Sequence, residues 1–345
     1  MNFQIVMLLG QDGLSNGAIY ALLALAILLV FTVTRILMIP QGEFVAFAAL
    51  LMAAMQGGKT LQFGWLLLAL AVVALILDLY GDWRAQGRVR LRLPALLMVL
   101  YAVAMVMLPR MVALDKLALG GQALLAMALI LPLGPLLYRV FFQPIAAAHS
   151  LVLLIVSIAV HVGLVGIGLL MFGAEGAQTK PFSDEPLEIG SVMLNSQTLW
   201  VVAVSLALIV ALYLFFEKSL YGKALRAAAV NRFGAELVGI SPELAGKASF
   251  TLAAFIGGLS GILISPITTI YFDSGFIISL KGFVGAIIGG LASYPVAALG
   301  ALFIGQAESF STFWASSYKE VIVFTLILPV LLWRSLAHKG TEDEE

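Results

Sequence analysis

Among the ionisable side chains that interrupt otherwise apolar stretches are Glu43, His161, Lys281 and Glu308. A charge inside an apolar run is costly, so such a group pairs, binds a proton or lines a cavity. Glu308 falls in the middle of its run, where Lys281 is available as a purely structural partner, or where the carboxylate could line a route for a solute. Glu43 opens a run, where hydration or the positive end of a helix would also accommodate it. His161 lies one turn from Ser157 and reads either as a hydrogen-bonded packing residue or as a ligand for a passing molecule. Asn16 and Tyr20 share a helix face at i, i+4 spacing and could hydrogen-bond a solute or another helix. Asp273 and Lys319 fall at run ends and read as rim charges. This chemistry is hydrogen bonding and charge compensation along a path, without bond making. Cys is 0 and His is 3, with no His-Glu-x-x-His pattern, so a metal site is not expected. No Ser/His/Asp or paired-Asp constellation has usable spacing, and no G-x-x-x-x-G-K-[ST] loop is present to cradle phosphates.

The elements that position these groups are written in the composition. Of 345 residues, 62% are hydrophobic and 11% charged, and the formal net charge is zero. A soluble domain carries about 25% charged residues, and a mean hydropathy of +1.06 is far from that class. Soluble enzymes, nucleic-acid binders and secreted disulfide scaffolds are excluded. The expected class is an all-α polytopic membrane bundle of about 9–11 spans. Eleven apolar runs cover residues 13–34, 42–55, 61–80, 94–108, 121–138, 150–172, 198–216, 248–271, 276–292, 296–313 and 318–333. The second covers only about 20 Å at 1.5 Å per residue, short of a bilayer core of about 30 Å. It is expected either to tuck against neighbours or to form part of a broken element. The fourth is also short, and runs two, four, nine and ten could pair as re-entrant elements. Pro132 and Pro135 interrupt the fifth run. Glycines at close spacing, such as Gly257, Gly258 and Gly261, suit tight helix approach or gating. No linker divides the chain, so residues 1–345 read as a single membrane domain, and residues 1–13 lack the basic start of a cleavable signal peptide.

Basic residues remain on the cytoplasmic side of a membrane. With 217–247 placed inside, thirteen of the nineteen Lys and Arg residues fall inside, among them Arg35, Arg84, Arg88, Arg90, Arg92, Arg139, Arg334 and Lys339. Five fall outside (Lys59, Arg110, Lys116, Lys180 and Lys319) and Lys281 lies within a run. The N-terminus is then outside and the C-terminus, with its acidic tail 342–345, inside.

Segment 217–247 is the longest basic connection. Its middle, 223–237, is rich in Ala, Leu and Arg without Pro and predicts a helix carrying Lys223, Arg226, Arg232 and Glu236. Connections in compact domains run about 4–6 residues. A loop this long is either a solvated amphipathic surface or a docking element for a cytoplasmic partner.

The residues here resemble a family. Tyr221-Gly222-Lys223-Ala224-Leu225-Arg226-Ala227-Ala228-Ala229, followed by Leu237-Val238-Gly239-Ile240-Ser241, is similar to the ATPase-contacting loop of ABC importer permeases of the branched-chain amino acid type. Other stretches match in order: 13–22, Gly42-Glu43-Phe44, Lys281-Gly282-Phe283 through Leu291, Pro295 through Gly300, Gly305-Gln306-Ala307-Glu308 and Tyr318-Lys319-Glu320. The resemblance implies ATP-driven alternating access in a bacterial inner membrane, with ATP and Mg held by two separate cytoplasmic ATPases and no cofactor on this chain. It also implies a periplasmic solute-binding protein and a second permease, either a paralogue or the same chain. Gly222, Lys223, Arg226, Asn231, Arg232, Glu236, Gly239, Ile240 and Ser241 would then carry ATPase coupling. Asn16, Tyr20, Gln41, Glu43, His161 and Glu308 would line the substrate route. The chain departs from the family pattern at Met38-Ile39-Pro40-Gln41, at Phe142-Gln143-Pro144, at Val230-Asn231 in place of an acidic pair, and at Tyr271-Phe272. Residues 81–120 read as an insertion. Aliphatic amino acids are the family's usual solutes, with amides, urea and aromatic acids among relatives. The rival reading is a secondary transporter or channel that works without an ATPase.

Overall fold

The computed structural model describes residues 3–87, 93–183, 187–189, 192–291 and 293–337. Arg88, Arg90, Arg92, Lys339 and the acidic tail 342–345 lie outside the described residues. In chain order the helices are α1 (Phe3–Thr34), α2 (Gln41–Gln56), α3 (Phe63–Gln86), α4 (Leu93–Met111), α5 (Leu119–Ile130), α6 (Leu133–Leu137) and α7 (Ser150–Phe172). A small antiparallel hairpin follows, β1 (Leu187–Ile189) and β2 (Val192–Leu194), with Leu187 opposite Leu194. Then come α8 (Ser196–Lys218), α9 (Leu220–Val230), α10 (Arg232–Leu237), α11 (Pro242–Ile264), α12 (Ser274–Ile288), α13 (Tyr294–Ala315), α14 (Lys319–Thr325) and α15 (Ile327–Ala337).

Among the described residues, 8 helices are long and apolar enough to cross a membrane, and Gln41–Gln56 and Ser274–Ile288 are shorter apolar helices. The chain is thus a polytopic membrane bundle, all-α apart from the one hairpin. The eleven apolar runs map onto these elements with one adjustment. Runs ten and eleven follow one another with only the 3-10 turn Ser316–Tyr318 between them, as α13 and then α14 and α15. Pro132 acts as expected: α5 stops at Ile130 and α6 begins at Leu133, continuing through a π turn over Tyr138–Phe142.

The chain divides into two compact units. One comprises Leu29–Pro181 and Tyr213–Phe276. Its centre is α2, whose side chains Phe44, Val45, Phe47 and Leu51 are fully buried. At about 24 Å, α2 is too short to span a bilayer core of about 30 Å alone and is instead enclosed by its neighbours. Small residues permit this. A Cβ at Gly257 would sit 2.7 Å from Phe44 Cβ, and one at Gly261 would overlap the carbonyl oxygen of Val45, so α11 lies backbone to backbone on α2. Phe250 of α11 packs its ring on Tyr138 and Phe142, with centroids 5.1 and 5.3 Å away. Arg139 Nε donates to Asp78 Oδ1 at 2.8 Å, tying the π turn to α3.

The other unit gathers Met1–Leu28, Phe182–Leu212 and Ile277–Glu345. Gly305 of α13 meets the backbone of Gly17 on α1 so closely that neither position has room for a side chain. The chain reverses after α13. In a straight helix, residues 308 and 320 would stand about 18 Å apart. Glu308 and Glu320 nevertheless both reach Lys281 Nζ, because Ala315 leaves helical geometry at φ −148°, ψ 55°.

Candidate functional site

The embedded polar residues assemble into two clusters, one in each unit. In the first, Lys281 Nζ of α12 lies 2.5 Å from Glu308 Oε1 and 3.1 Å from Glu320 Oε1. Tyr20 of α1 donates its hydroxyl to Glu308 Oε2 at 2.6 Å, and the Lys281 ammonium lies 5.7 Å from the Tyr20 ring centroid. Lys281 and Glu308 are buried, whereas Glu320 retains 39% of its side-chain exposure. Four helices thus converge on one ammonium. Both Glu308 oxygens have a donor, which makes burial of this charge tolerable. Asn16, one turn before Tyr20, is half-buried and makes no hydrogen bond among the described residues, so it does not join the cluster.

In the second, Glu43 stands in the first turn of α2 with its side chain buried. Its Oε1 lies 2.7 Å from Nδ1 of His161 on α7, and the imidazole stacks on Phe276 with centroids 4.8 Å apart. The second carboxylate oxygen, Oε2, has no partner among the described residues. One turn earlier on α7, Ser157 Oγ accepts from the Ile39 amide at 3.0 Å and donates to the Leu37 carbonyl at 2.7 Å. Ser157 therefore holds the irregular segment between α1 and α2, a stretch opened by Arg35 at φ 61°, and His161 holds the first turn of α2 that follows it. Non-helical backbone inside a membrane bundle needs such donors and acceptors. Ser157→Ala is expected to cost about 1–2 kcal/mol and to raise amide exchange across residues 36–39; unchanged exchange there would mean that Ser157 does not hold this segment. Gln41 turns to a different neighbour, donating from Nε2 to the Ala253 carbonyl on α11 at 3.0 Å.

The connection from α8 to α11 is a pair of helices, not the single one that its composition suggests. α9 starts at a Ser219 cap, whose Oγ accepts from the Gly222 amide at 2.9 Å. Gly222 is required because a Cβ would overlap the Phe215 carbonyl oxygen at the corner. The helix breaks at Asn231 (φ −147°), whose side chain accepts from the Gly234 amide at 2.8 Å and caps α10. Gly239 ends α10 at φ 89°, with the Ile240 amide returning to the Ala235 carbonyl at 2.9 Å. Ser241 then caps α11. Arg226 pairs with Glu217 at 2.9 Å, and Arg232 reaches the Ala146 carbonyl at 3.4 Å. Lys223 and Glu236 point outward. Between α9 and α10 lies an open groove of about 440 Å³, lined by Arg226, Val230, Asn231 and Val238 among others. Val230 and Val238, which line it, are more than two-thirds exposed, as are Phe233 and Leu237 on α10. Scattered apolar residues on a surface are ordinary, but a contiguous patch marks an interaction site.

Sequence reasoning had singled out Tyr20 and Glu308 separately without joining them, and Glu320 only as part of a motif. The pairing of Glu43 with His161 was also invisible.

The comparisons with known proteins fit this architecture. A family described as branched-chain amino acid transport system / permease component matches residues 11–331. The high-affinity branched-chain amino acid transport system permease protein BraD of Pseudomonas aeruginosa is 26% identical over 244 residues, covering 68% of this chain and 80% of BraD. LivH of Escherichia coli K12, a permease protein of the same description, is 28% identical over 203 residues, covering 56% of this chain and 65% of LivH. A probable LivH of Methanocaldococcus jannaschii is 31% identical over 137 residues, covering 37% of this chain and 44% of the relative. The chain thus spans just under two thirds of the LivH length. No solved structure matches. A match over nearly the whole chain, on a bundle of 8 long apolar helices, places the protein: it belongs to the branched-chain amino acid transport permease family and is a non-catalytic, multi-pass membrane subunit.

Proposed function

We propose that this chain is the membrane path of an ATP-driven importer for branched-chain amino acids or closely related small solutes. Its two compact units would act as one permease domain, with the N-terminus outside and the C-terminus inside. One observation carries the proposal. Capped helices α9 and α10 present exposed Val230 and Val238 in one groove with Lys223 and Arg226, with Phe233 and Leu237 also exposed on α10, on a connection rich in basic residues. An apolar patch with a cationic rim suits a protein partner. In this reading the partner is a separate ATPase, one of two, and Gly222, Asn231, Gly239, Ile240 and Ser241 set the shape of the docking pair. Arg232 and Glu236 complete its charged rim. ATP-driven closure of the ATPases would move α9 and α10 and so reopen the path inward. A periplasmic binding protein would deliver the solute, and a second permease, paralogous or identical, would complete the path. Glu43 with His161, Gln41, and Tyr20 with Glu308 are the polar positions assigned to the route, with Asn16 at its margin.

Arg226→Glu tests the docking. Arg226 is exposed, so the fold should persist. ATP-dependent leucine uptake should fall by about tenfold, the equivalent of about 1.4 kcal/mol lost at the docking surface. A cysteine at Phe233 should crosslink to the ATPase. Full uptake in the variant, with no crosslink, would instead favour a channel or secondary transporter.

A further inference from the structure

We infer that the outer face of the α3–α4 hairpin is a lipid-facing wall of the permease, covered by acyl chains and not by a second permease. Several independent observations lead there.

Along α4, Leu93, Leu97, Leu100 and Met107 are all exposed and follow one another at helical spacing. On α3, Val72 and Ile76 continue the apolar surface. Neither helix offers this face a hydrogen-bonding group along its middle. Tyr101, the one polar side chain in the middle of α4, turns inward and donates to the Ala128 carbonyl at 2.6 Å. Asp78 of α3 is held by Arg139. Helix interfaces inside a membrane are built by small residues that let backbones approach and by interhelical hydrogen bonds; this face presents large aliphatic side chains and no donor along its middle, and an acyl-chain surface requires none.

The two ends of the face differ from its middle. Trp65 near the start of α3 is exposed, with the Arg110 guanidinium 5.9 Å from its ring. At the other end, the exposed Tyr80 and Trp83 rings lie 6.2 Å apart, next to Arg84. From residue 65 to residue 83 the helix rises about 27 Å, close to a hydrocarbon core of about 30 Å. Tryptophan and tyrosine with flanking arginine collect at the headgroup level. The face is therefore apolar over one membrane thickness and aromatic and cationic at both limits, which is the pattern of a surface fitted to lipid. The second permease must then dock on another side of the chain.

The absence of Cys from the native chain gives a direct test. Single cysteines at Leu93, Leu97, Leu100 and Met107, each carrying a nitroxide, would be introduced into the full-length permease, assembled with its partners and reconstituted in phosphatidylethanolamine/phosphatidylglycerol vesicles. These positions are exposed, so the substitutions leave packing intact. The label at Leu100 should show oxygen access several-fold above its access to a water-soluble nickel complex. That ratio should fall toward Leu93 at one end and toward Met107 at the other. Spin–spin broadening at Leu100, or a disulfide between two chains bearing L100C, would mean that a second copy covers the face and would overturn the inference. Strong immobilisation without broadening, from another protein, would overturn it equally, as would nickel access that is uniform along the helix.

Discussion

Lys281→Met is expected to destabilise the protein by about 3–5 kcal/mol, the cost of leaving a buried carboxylate without its counter-charge. Glu308 would keep only the Tyr20 hydroxyl as a donor, and Glu320 would lose its tie to α12. The double variant Lys281→Met with Glu308→Leu should recover much of that loss, because a neutral, well-packed replacement removes the orphaned charge along with its partner. Tyr20→Phe alone should have a smaller effect, about 1.5–3 kcal/mol for one hydrogen bond to a charged acceptor. Thermal unfolding of the purified protein in detergent would rank the three variants. An unchanged midpoint for Lys281→Met would mean that the ammonium does not hold these helices together.

Gly261→Val is the second large effect. The added Cβ would meet the backbone carbonyl of Val45, and a backbone cannot rotate aside as a side chain does. Overpacking a core usually costs about 1–3 kcal/mol; here the cost should lie at or above the top of that range. Gly163→Ala gives the contrast, since nothing lies within 4 Å of a Cβ there. It should leave stability unchanged or improve it slightly through helix propensity. If Gly261→Val folds and melts like the parent protein, the close packing of α2 on α11 is not what holds that unit.

The sequence carried much of this arrangement, unevenly. Apolar run length located every long helix, because a membrane requires about 20 apolar residues and the chain has few other ways to use them. The shortness of run two correctly raised the prospect of an enclosed element. Lys281 and Glu308 could be suspected as partners because each was unaffordable alone. Three features were hidden. The break at Asn231 sits in an Ala-rich stretch whose propensity favours continuous helix, and only the cap from Asn231 to Gly234 decides otherwise. The reversal at Ala315–Tyr318 has neither glycine nor proline to announce it. The Glu43–His161 pair joins residues 118 positions apart, and no local pattern encodes such a distance.

The hydrogen bond from Tyr20 to Glu308 spans 288 residues of chain. At about 5–20 residues per second of synthesis, the tyrosine waits about 15–60 s after emerging before its acceptor exists. Lys281 also enters the membrane before either of its carboxylates. The unit made of Leu29–Pro181 and Tyr213–Phe276 is complete by then, whereas the other is assembled from the first and last parts of the chain. Biogenesis of this permease thus has an unavoidable late step, in which an unpaired lysine must be sheltered during insertion until the C-terminal helices arrive to neutralise it.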